Sequence, residues 1–591
     1  MQLSRVVVKN FRSLQLVDVP LAEKVSCLVG ENNTGKSNLI HALRLCLDAN
    51  LTSTYRMLVK DDIHCDVDHA KPFQVLIGVE FTGFQNTDNE EAMLHGAQVA
   101  ENRARILYRF RPKRPVREKL AEDENTPLTL ADYGWEMAGG GNPAKDLTAI
   151  EWNDDNVDFG ASTVNFQNLQ NYYVCYLPPL RDVESDLQQL RRSPLARLIE
   201  ASNIAETEQA ALVGAIQTAN DTIEGSPTVK AIATGIDARF KDVTGPAYSL
   251  DIDLGVAAPS FQSIIRNIKV LLSNLAVKKI DPRRNGLGLN NILYISILME
   301  WLKKRAEGGK SAGELILIEE PEAHLHPQLQ LTLLDALRQL PFQSLVTTHS
   351  THVTSKAPLK SFIFLTNTGT TAPFAAALAG NTALAASDID DLERYLDATK
   401  SSLLFARRVM LVEGPAEVFL IPPLVKKVMH VDLEREGITV LAIHGVHFGA
   451  FAKLFNATGL PKRCAIVADA DRDPDEGEPG DDDPPKPDLA ALQSEHVKLF
   501  LGATTFEREI AINGNFRMLA NAARDIGAPK IAAKLEAAIA SGTTDALKEA
   551  ALRTAKRFGK ARFAQLAARH AGEATALPAY ISDAVTWLLE K

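Results

Sequence analysis

Two sets of residues in this chain have the types and the spacing that phosphate chemistry needs. The first is Gly30-Glu31-Asn32-Asn33-Thr34-Gly35-Lys36-Ser37, the pattern GxxxxGK[ST]. Its glycines let backbone N–H groups turn inward around phosphate oxygens. The helix expected to open there adds its dipole and its unpaired N–H groups. Lys36 is placed to reach the outer phosphates of ATP and Ser37 to ligate Mg²⁺, with Gly30, Asn32, Asn33, Thr34 and Gly35 forming the cradle. At average composition a chain of this length shows the pattern by chance roughly 2% of the time. A buried strand (24–29) before it, and apolar residues at helical spacing after it (Leu39, Ile40, Leu43, Leu47), supply the context the mechanism requires.

The loop needs carboxylates beside it. Leu315-Ile316-Leu317-Ile318-Glu319-Glu320-Pro321 reads as a buried strand that ends in two acids. Glu319 is expected to hold the Mg²⁺ shell, and Glu320 to polarise the attacking water. Leu345-Val346-Thr347-Thr348-His349-Ser350 is another apolar strand, and His349 at its end is a candidate sensor of the γ-phosphate.

The second set is Val412-Glu413-Gly414 with Asp469-Ala470-Asp471. Residues 407–417 read as strand, tight turn and helix, with Glu413 at the strand end and Glu417 on the first helical turn. Residues 463–471 read as a second strand ending in DxD, where alternation puts Asp469 and Asp471 on one side. Hard oxygen donors suit Mg²⁺ or Mn²⁺, and no histidine or cysteine cluster competes for zinc.

The elements around these sets divide the chain. Residues 3–8 and 14–19 read as paired strands about a turn at 10–13, with further strands at 73–81 and 104–110 and loops with short strands over 122–158. From 183 to 245 the composition turns to Ala, Glu and Gln at helical spacing, which predicts a helical insertion that serves as a dimerisation arm. The Ala- and Thr-rich stretch at 371–387 marks a boundary, the Asp/Pro/Gly-rich run 472–488 is expected to be a solvated loop, and residues 515–591 are expected to be helical. The resulting division is 1–182 and 246–395 for the nucleotide-binding domain, 183–245 for the insertion, and 400–591 for the carboxylate domain with a helical tail.

The 591 residues are too many for one core, and the net charge of −10 argues against passive whole-surface binding of nucleic acid. Local basic patches remain available for phosphate contacts. One is Arg103, Arg105, Arg109, Arg111, Lys113, Arg114 and Arg117; the other is Arg553, Lys556, Arg557, Lys560 and Arg562. The five scattered cysteines suggest neither disulfides nor a zinc ribbon. No apolar run reaches membrane-spanning length, and the first residues lack a secretory h-region. A reducing cytoplasm is the expected location.

The first part of the chain resembles an ABC-type ATPase of the structural-maintenance and RecF kind. Phe11-Arg12-Ser13 resembles that group's N-terminal signature, and residues 318–327 resemble its Walker B and D-loop, with Glu319 in place of the commoner Asp. Arg284-Asn285-Gly286-Leu287-Gly288 occupies the place of the signature motif, so the resemblance implies that Gly286 and Gly288 face the γ-phosphate of a second subunit in a homodimer. Glu413, Asp469 and Asp471 resemble the metal ligands of a Toprim domain. By that resemblance Glu417 helps bind a second ion, with Asp473, Asp475 or Glu476 completing it, Glu507 is a further carboxylate, and Lys560 steadies the phosphate. ABC-type ATPase followed by Toprim is the arrangement of the OLD (overcoming lysogenization defect) nucleases. The expectation is therefore an α/β protein acting as an ATP-regulated, metal-dependent DNA endonuclease in phage defence, with a possible helicase partner. The alternative is an ATP-driven DNA clamp with a non-catalytic Toprim domain. A topoisomerase is disfavoured because Tyr580 stands alone in a short tail.

Overall fold

The computed structural model describes residues 1–156, 160–164, 169–179, 194–248, 250–273, 278–282, 286–309, 311–367, 373–444, 448–469, 489–541 and 545–590. The expectations for Arg284, Asn285, Asp471, Asp473, Asp475, Glu476, the acidic run 472–488 and the start of the helical insertion lie outside these residues.

The N-terminal half runs through β1 (Gln2–Phe11), β2 (Leu14–Pro20), β3 (Val25–Gly30), the helix Lys36–Leu47, β4 (Val75–Thr82), β5 (Gln98–Ala100), β6 (Arg103–Pro112), β7 (Tyr133–Gly140), β8 (Ala161–Thr163) and β9 (Tyr172–Leu177). Seven of these strands form an antiparallel sheet in the order β2-β1-β4-β6-β7-β8, with β5 on the side of β6. Strand β7 falls inside the stretch expected to be mostly loop.

The first basic patch is only partly a surface: Lys113 and Arg114 are exposed, but its central arginines are not. Along β6, Ala104, Ile106, Tyr108 and Phe110 point into the core, and Arg105, Arg109 and Arg111 alternate with them on the opposite face. All three arginines are buried. That face is covered by the segment 142–156, whose carbonyls need donors. Arg105 pairs with Glu80 at 2.7 Å and donates to the carbonyls of Asn142 and Lys145. Arg109 donates to Gln74 Oε1, to the carbonyls of Glu151 (2.8 Å) and Asp154 (2.9 Å), and to Asn156 Oδ1 (2.7 Å). Arg111 donates to Glu136 and to the carbonyls of Trp152 and Asp154. Three arginines of the expected nucleic-acid patch instead form an internal clamp. Arg109→Ala leaves several buried acceptors without donors and is expected to cost about 3 kcal/mol, seen as a lower melting temperature.

The second sheet continues from β9 through β10 (Gly313–Glu319), β11 (Gln343–Thr348), β12 (Phe362–Asn367) and β13 (Pro373–Ala377), in the order β13-β12-β3-β11-β10-β9. Only β13 is antiparallel. Its strands are nearly continuous apolar runs because helices cover both faces. Register pairs Val29 with Thr348, and Thr347 with Glu319. The phosphate loop, His349 and Glu319 therefore leave the sheet side by side.

Between β9 and β10, the helices Glu206–Glu224 and Pro227–Thr244 leave Ile216, Ile223, Ile232 and Ile236 exposed. The helix Leu287–Glu307 then returns to the sheet.

The last sheet contains β14 (Arg408–Val412), β15 (Ile438–Ala442), β16 (Cys464–Ala468) and β17 (Val497–Leu501), all parallel, in the order β15-β14-β16-β17. The chain leaves β14 toward one edge and comes back on its other side as β16. This reversal opens a crevice at the carboxyl ends of β14 and β16, where open α/β sheets bind ligands. Six helices, from Phe506–Ile510 to Ala579–Leu589, pack onto this domain and share its core.

The stretch between the two parallel sheets is packed rather than loose. One hydrophobic cluster runs from Val25, Val346 and Phe364 through Leu392, Leu396, Leu403 and Leu404 to Val409, Leu411 and Ile466.

Candidate functional site

Strand β3 is wholly buried and delivers Gly30 to the loop. A Cβ on Gly30 would lie 2.1 Å from the carbonyl oxygen of Leu365, so no larger residue fits. Gly35 caps the following helix at φ 92°, and a Cβ there would meet Ser13 and Leu14 at 2.6 Å. The Phe11-Arg12-Ser13 turn thus props the loop from outside. Ser13 accepts from Asn38, and Arg12 pairs with Asp62. Lys36 is buried and donates to the carbonyls of Gly30 (3.0 Å) and Glu31 (2.6 Å); burial lowers its ammonium to about 8. Thr34 donates to the Glu31 carbonyl, while Asn32 and Asn33 are exposed.

Glu319 closes the centre. One carboxylate oxygen accepts from Ser37, and the other accepts from the Tyr176 hydroxyl at 2.7 Å. Tyr176 comes from β9 and belongs to no motif; the apolar run 172–177 was its only trace in the sequence. Glu320 adopts φ 44°, a left-handed conformation that non-glycine residues rarely take. Its N–H donates to the Thr347 carbonyl, and its carboxylate lies 3.8 Å from His349 Nε2. Burial, then the charge of Lys36, lowers the His349 imidazole, which favours its neutral form. His349 N–H donates to Glu322 Oε1. Gly286 stands open, whereas Gly288 is pressed against the His324 carbonyl of its own chain.

Parallel pairing of β14 and β16 puts Glu413 and Asp469 side by side at the crevice. Asp469 N–H donates to Glu413 Oε1 at 2.6 Å, and Asp469 Oδ2 accepts from Phe506 N–H at 3.0 Å. Glu417, on the first turn of the helix Pro415–Val428, is buried beside Gly414. Glu507, on the helix Phe506–Ile510, faces Lys560 Nζ at 3.1 Å; its Oε1 is buried with no hydrogen-bond partner. Burial and neighbouring carboxylates push Glu417 up to about 7 and Asp469 up to about 8. The acids around Lys560 hold its ammonium above the usual range against the opposing effect of burial.

Tyr580, which the sequence leaves as a stray tail residue, stands in this site. Its ring lies 3.2 Å from where a Cβ on Gly502 would sit, and Gly502 N–H donates to the Ala468 carbonyl just before Asp469. Burial and the surrounding carboxylates raise its phenol far above the ordinary range.

Crowded carboxylates with an unsatisfied buried oxygen are a donor set that fits a hard divalent cation. Among the described residues, no three of these acids close to within 4.8 Å of one another. The group that does close, His64, Cys65 and Asp66, lies elsewhere, and His64 Nδ1 already accepts from Asp66 N–H at 3.2 Å.

The protonation of this site sets a stability trend. Folded Glu417 and Asp469 keep protons that the unfolded chain releases near pH 4. Between there and about pH 8 the folded state binds more protons, so their contribution to stability falls as pH rises. Melting of metal-free protein is expected to show this fall relative to Asp469→Asn. Stabilisation by Mn²⁺ is expected to grow from pH 6 to pH 8, because cations and protons compete for the same oxygens.

An ion pair joins the phosphate loop to the start of the strand that ends at Glu413. Arg407, immediately before β14, pairs with Glu31 of the phosphate loop at 3.1 Å. Lys462, shortly before β16, is buried against the carbonyls of Leu404 and Ala406, and burial lowers it to about 8.

A phosphate-loop ATPase fold joined to a Toprim fold defines the class of protein. A model of the AAA ATPase domain matches residues 1–136 and 216–354, and one of the "Overcoming lysogenization defect protein-like, TOPRIM domain" matches residues 404–471. Endonuclease GajA of Bacillus cereus (strain VD045) is 24% identical over 78% of this chain and 74% of its own length. Old nuclease of Escherichia phage P2 is 22% identical over 80% of this chain and 77% of its own. The solved C-terminal region of the Burkholderia pseudomallei OLD protein is 28% identical, with a TM-score of 0.25, over 31% of this chain and 97% of its own. The chain thus joins an AAA ATPase domain to an OLD-like Toprim domain.

Proposed function

We propose that this protein is an ATP-regulated, divalent-metal-dependent DNA endonuclease. The observation that carries the reading is the pairing of Glu413 with Asp469 at the β14–β16 crevice, with Glu417, Glu507 and Lys560 around it. Glu413, Glu417, Asp469 and Glu507, together with Asp471 and Asp473, would hold Mg²⁺ or Mn²⁺. Bound there, the ions would supply a nucleophilic water and charge stabilisation for a leaving 3′ oxygen. Asp469 is anchored at the crevice by its own N–H, which donates to Glu413, and by its Oδ2, which accepts from Phe506 N–H. Lys560, beside Glu507, supplies positive charge among the acids and positions the scissile phosphate.

ATP occupies the first centre. Lys36 and the loop amides hold its phosphates, and Ser37 and Glu319 carry its Mg²⁺. Glu320 orients the hydrolytic water, and neutral His349 reads the γ-phosphate. The reading includes a homodimer that brings Gly286 and Gly288 to a partner's nucleotide, supported by the open position of Gly286 and the exposed apolar face of the 206–244 helices. The reading includes a role in phage defence, which rests on the resemblance to the OLD nucleases.

The test is conversion of supercoiled plasmid to nicked or linear DNA with Mg²⁺ or Mn²⁺, with and without ATP. Metal-dependent cutting without a covalent protein–DNA adduct is expected. DNA binding with no strand breakage under any of these conditions would leave only the clamp reading.

A further inference from the structure

In the C-terminal helical region, the helices Pro529–Ser541 and Asp545–Phe558 enclose a groove of about 670 Å³. Lys530 and Lys534 line one wall, Arg553 and Arg557 the other, with Glu549 and Phe558 between them. All four cations are exposed. Lys530, Lys534 and Arg557 have no acid partner among the described residues; Arg557 lies over the Phe558 ring. The one acid of the groove is already taken, because Glu549 binds Arg508 and Arg553. This concavity is therefore strongly positive in a chain whose net charge is −10.

The groove is also tied to the carboxylate site. Arg508 links it to the helix Phe506–Ile510, where the adjacent Glu507 faces Lys560. Lys560 opens the helix that follows Phe558 after a single glycine. The cations are spaced four residues apart on both helices, which stacks each pair on one face at roughly 5–6 Å between Cβ atoms. Two short rows of point charges across a groove suit a chain of phosphates better than a compact anion.

We propose that this groove holds the sugar–phosphate backbone of DNA flanking the phosphate to be cut. The proposal rests on the nuclease reading and adds where the substrate lies. Cations that neutralise backbone phosphates supply affinity without sequence preference, and removing any one of them flattens the dependence of binding on salt.

The test uses the full chain and a fluorescent DNA duplex, titrated without divalent metal over a salt series. The triple variant Lys530→Glu/Lys534→Glu/Arg557→Glu is expected to bind about tenfold or more weakly, with the slope of log affinity against log salt reduced by roughly 2–3. Its ATP hydrolysis in the absence of DNA should match the wild type. The milder Lys530→Gln/Lys534→Gln/Arg557→Gln protein should fall between them, and serves if charge reversal impairs folding. Arg114→Glu/Lys119→Glu, on the remote helix 114–122, should bind as the wild type does. Wild-type binding and cutting with unchanged affinity and slope in both groove variants would overturn the groove and leave the nuclease reading standing. A wild-type protein that neither binds nor cuts DNA would overturn both. Displacement of the DNA by poly-glutamate at equal charge, abolished in the groove variants, would reassign the groove to acidic peptides.

Discussion

Asp469→Ala is expected to lower DNA cleavage to below roughly 0.1% of wild type while leaving ATP hydrolysis intact. The residue occupies the crevice where β14 and β16 diverge, and its carboxylate is fixed by Phe506 N–H. Removing it deletes a donor that no neighbour replaces, since Glu413 is engaged with the backbone of residue 469 and Glu417 lies on a separate helix. Hydrolysis of ATP depends on residues of another sheet and should be unaffected. The two activities are measured on one preparation, by plasmid conversion and by phosphate release. Full cleavage by the variant would remove the Toprim carboxylates from the reaction.

Lys36→Ala is expected to reduce ATP hydrolysis on the order of 10²–10³-fold, the loss typical of one positioned charge that stabilises a transition state. Its ammonium is the buried cation of the loop, held close to Gly30 and Glu31 and facing Glu320 and His349. Substitution removes that charge and leaves the two carbonyls without their donor. Nucleotide affinity, read by titration of a fluorescent ATP analogue, should fall as well. Whether plasmid cutting then rises or falls decides if bound ATP restrains the nuclease or licenses it. Unchanged hydrolysis in this variant would remove the loop from the ATPase.

The parts of both centres that were legible in the sequence are those whose chemistry is local. Gly30 to Ser37, Glu319-Glu320 and Glu413-Gly414 each sit where a strand ends, and an apolar run followed by a turn is visible in one dimension. Tyr176 and Tyr580 were not legible as site residues, because a strand and a helix distant in the sequence carry them in. The arginines of β6 show a subtler limit. Their alternation with Ala104, Ile106, Tyr108 and Phe110 was present in the sequence, yet it does not say whether the second face of the sheet meets water or the segment 142–156. Read as a cluster they look like a nucleic-acid patch; read with period two they look like a covered sheet face. The patch near the C-terminus shares the same composition but lies on exposed helices, and there the charge remains accessible. The meeting of Glu31 with Arg407 joins residues from opposite halves of the chain and has no one-dimensional signature at all.

That meeting constrains the energetics of the whole molecule. The pair is half exposed and contributes only about 0–1 kcal/mol to stability, but it sits where triphosphate recognition begins and where the strand leading to Glu413 starts. A rearrangement of Glu31 on nucleotide capture would reach the foot of β14 through this pair. Thermodynamic reciprocity then requires the converse: loading cations at the far end of that strand must alter the affinity for ATP by the same factor, so a nucleotide titration can report on the nuclease without a single strand being cut.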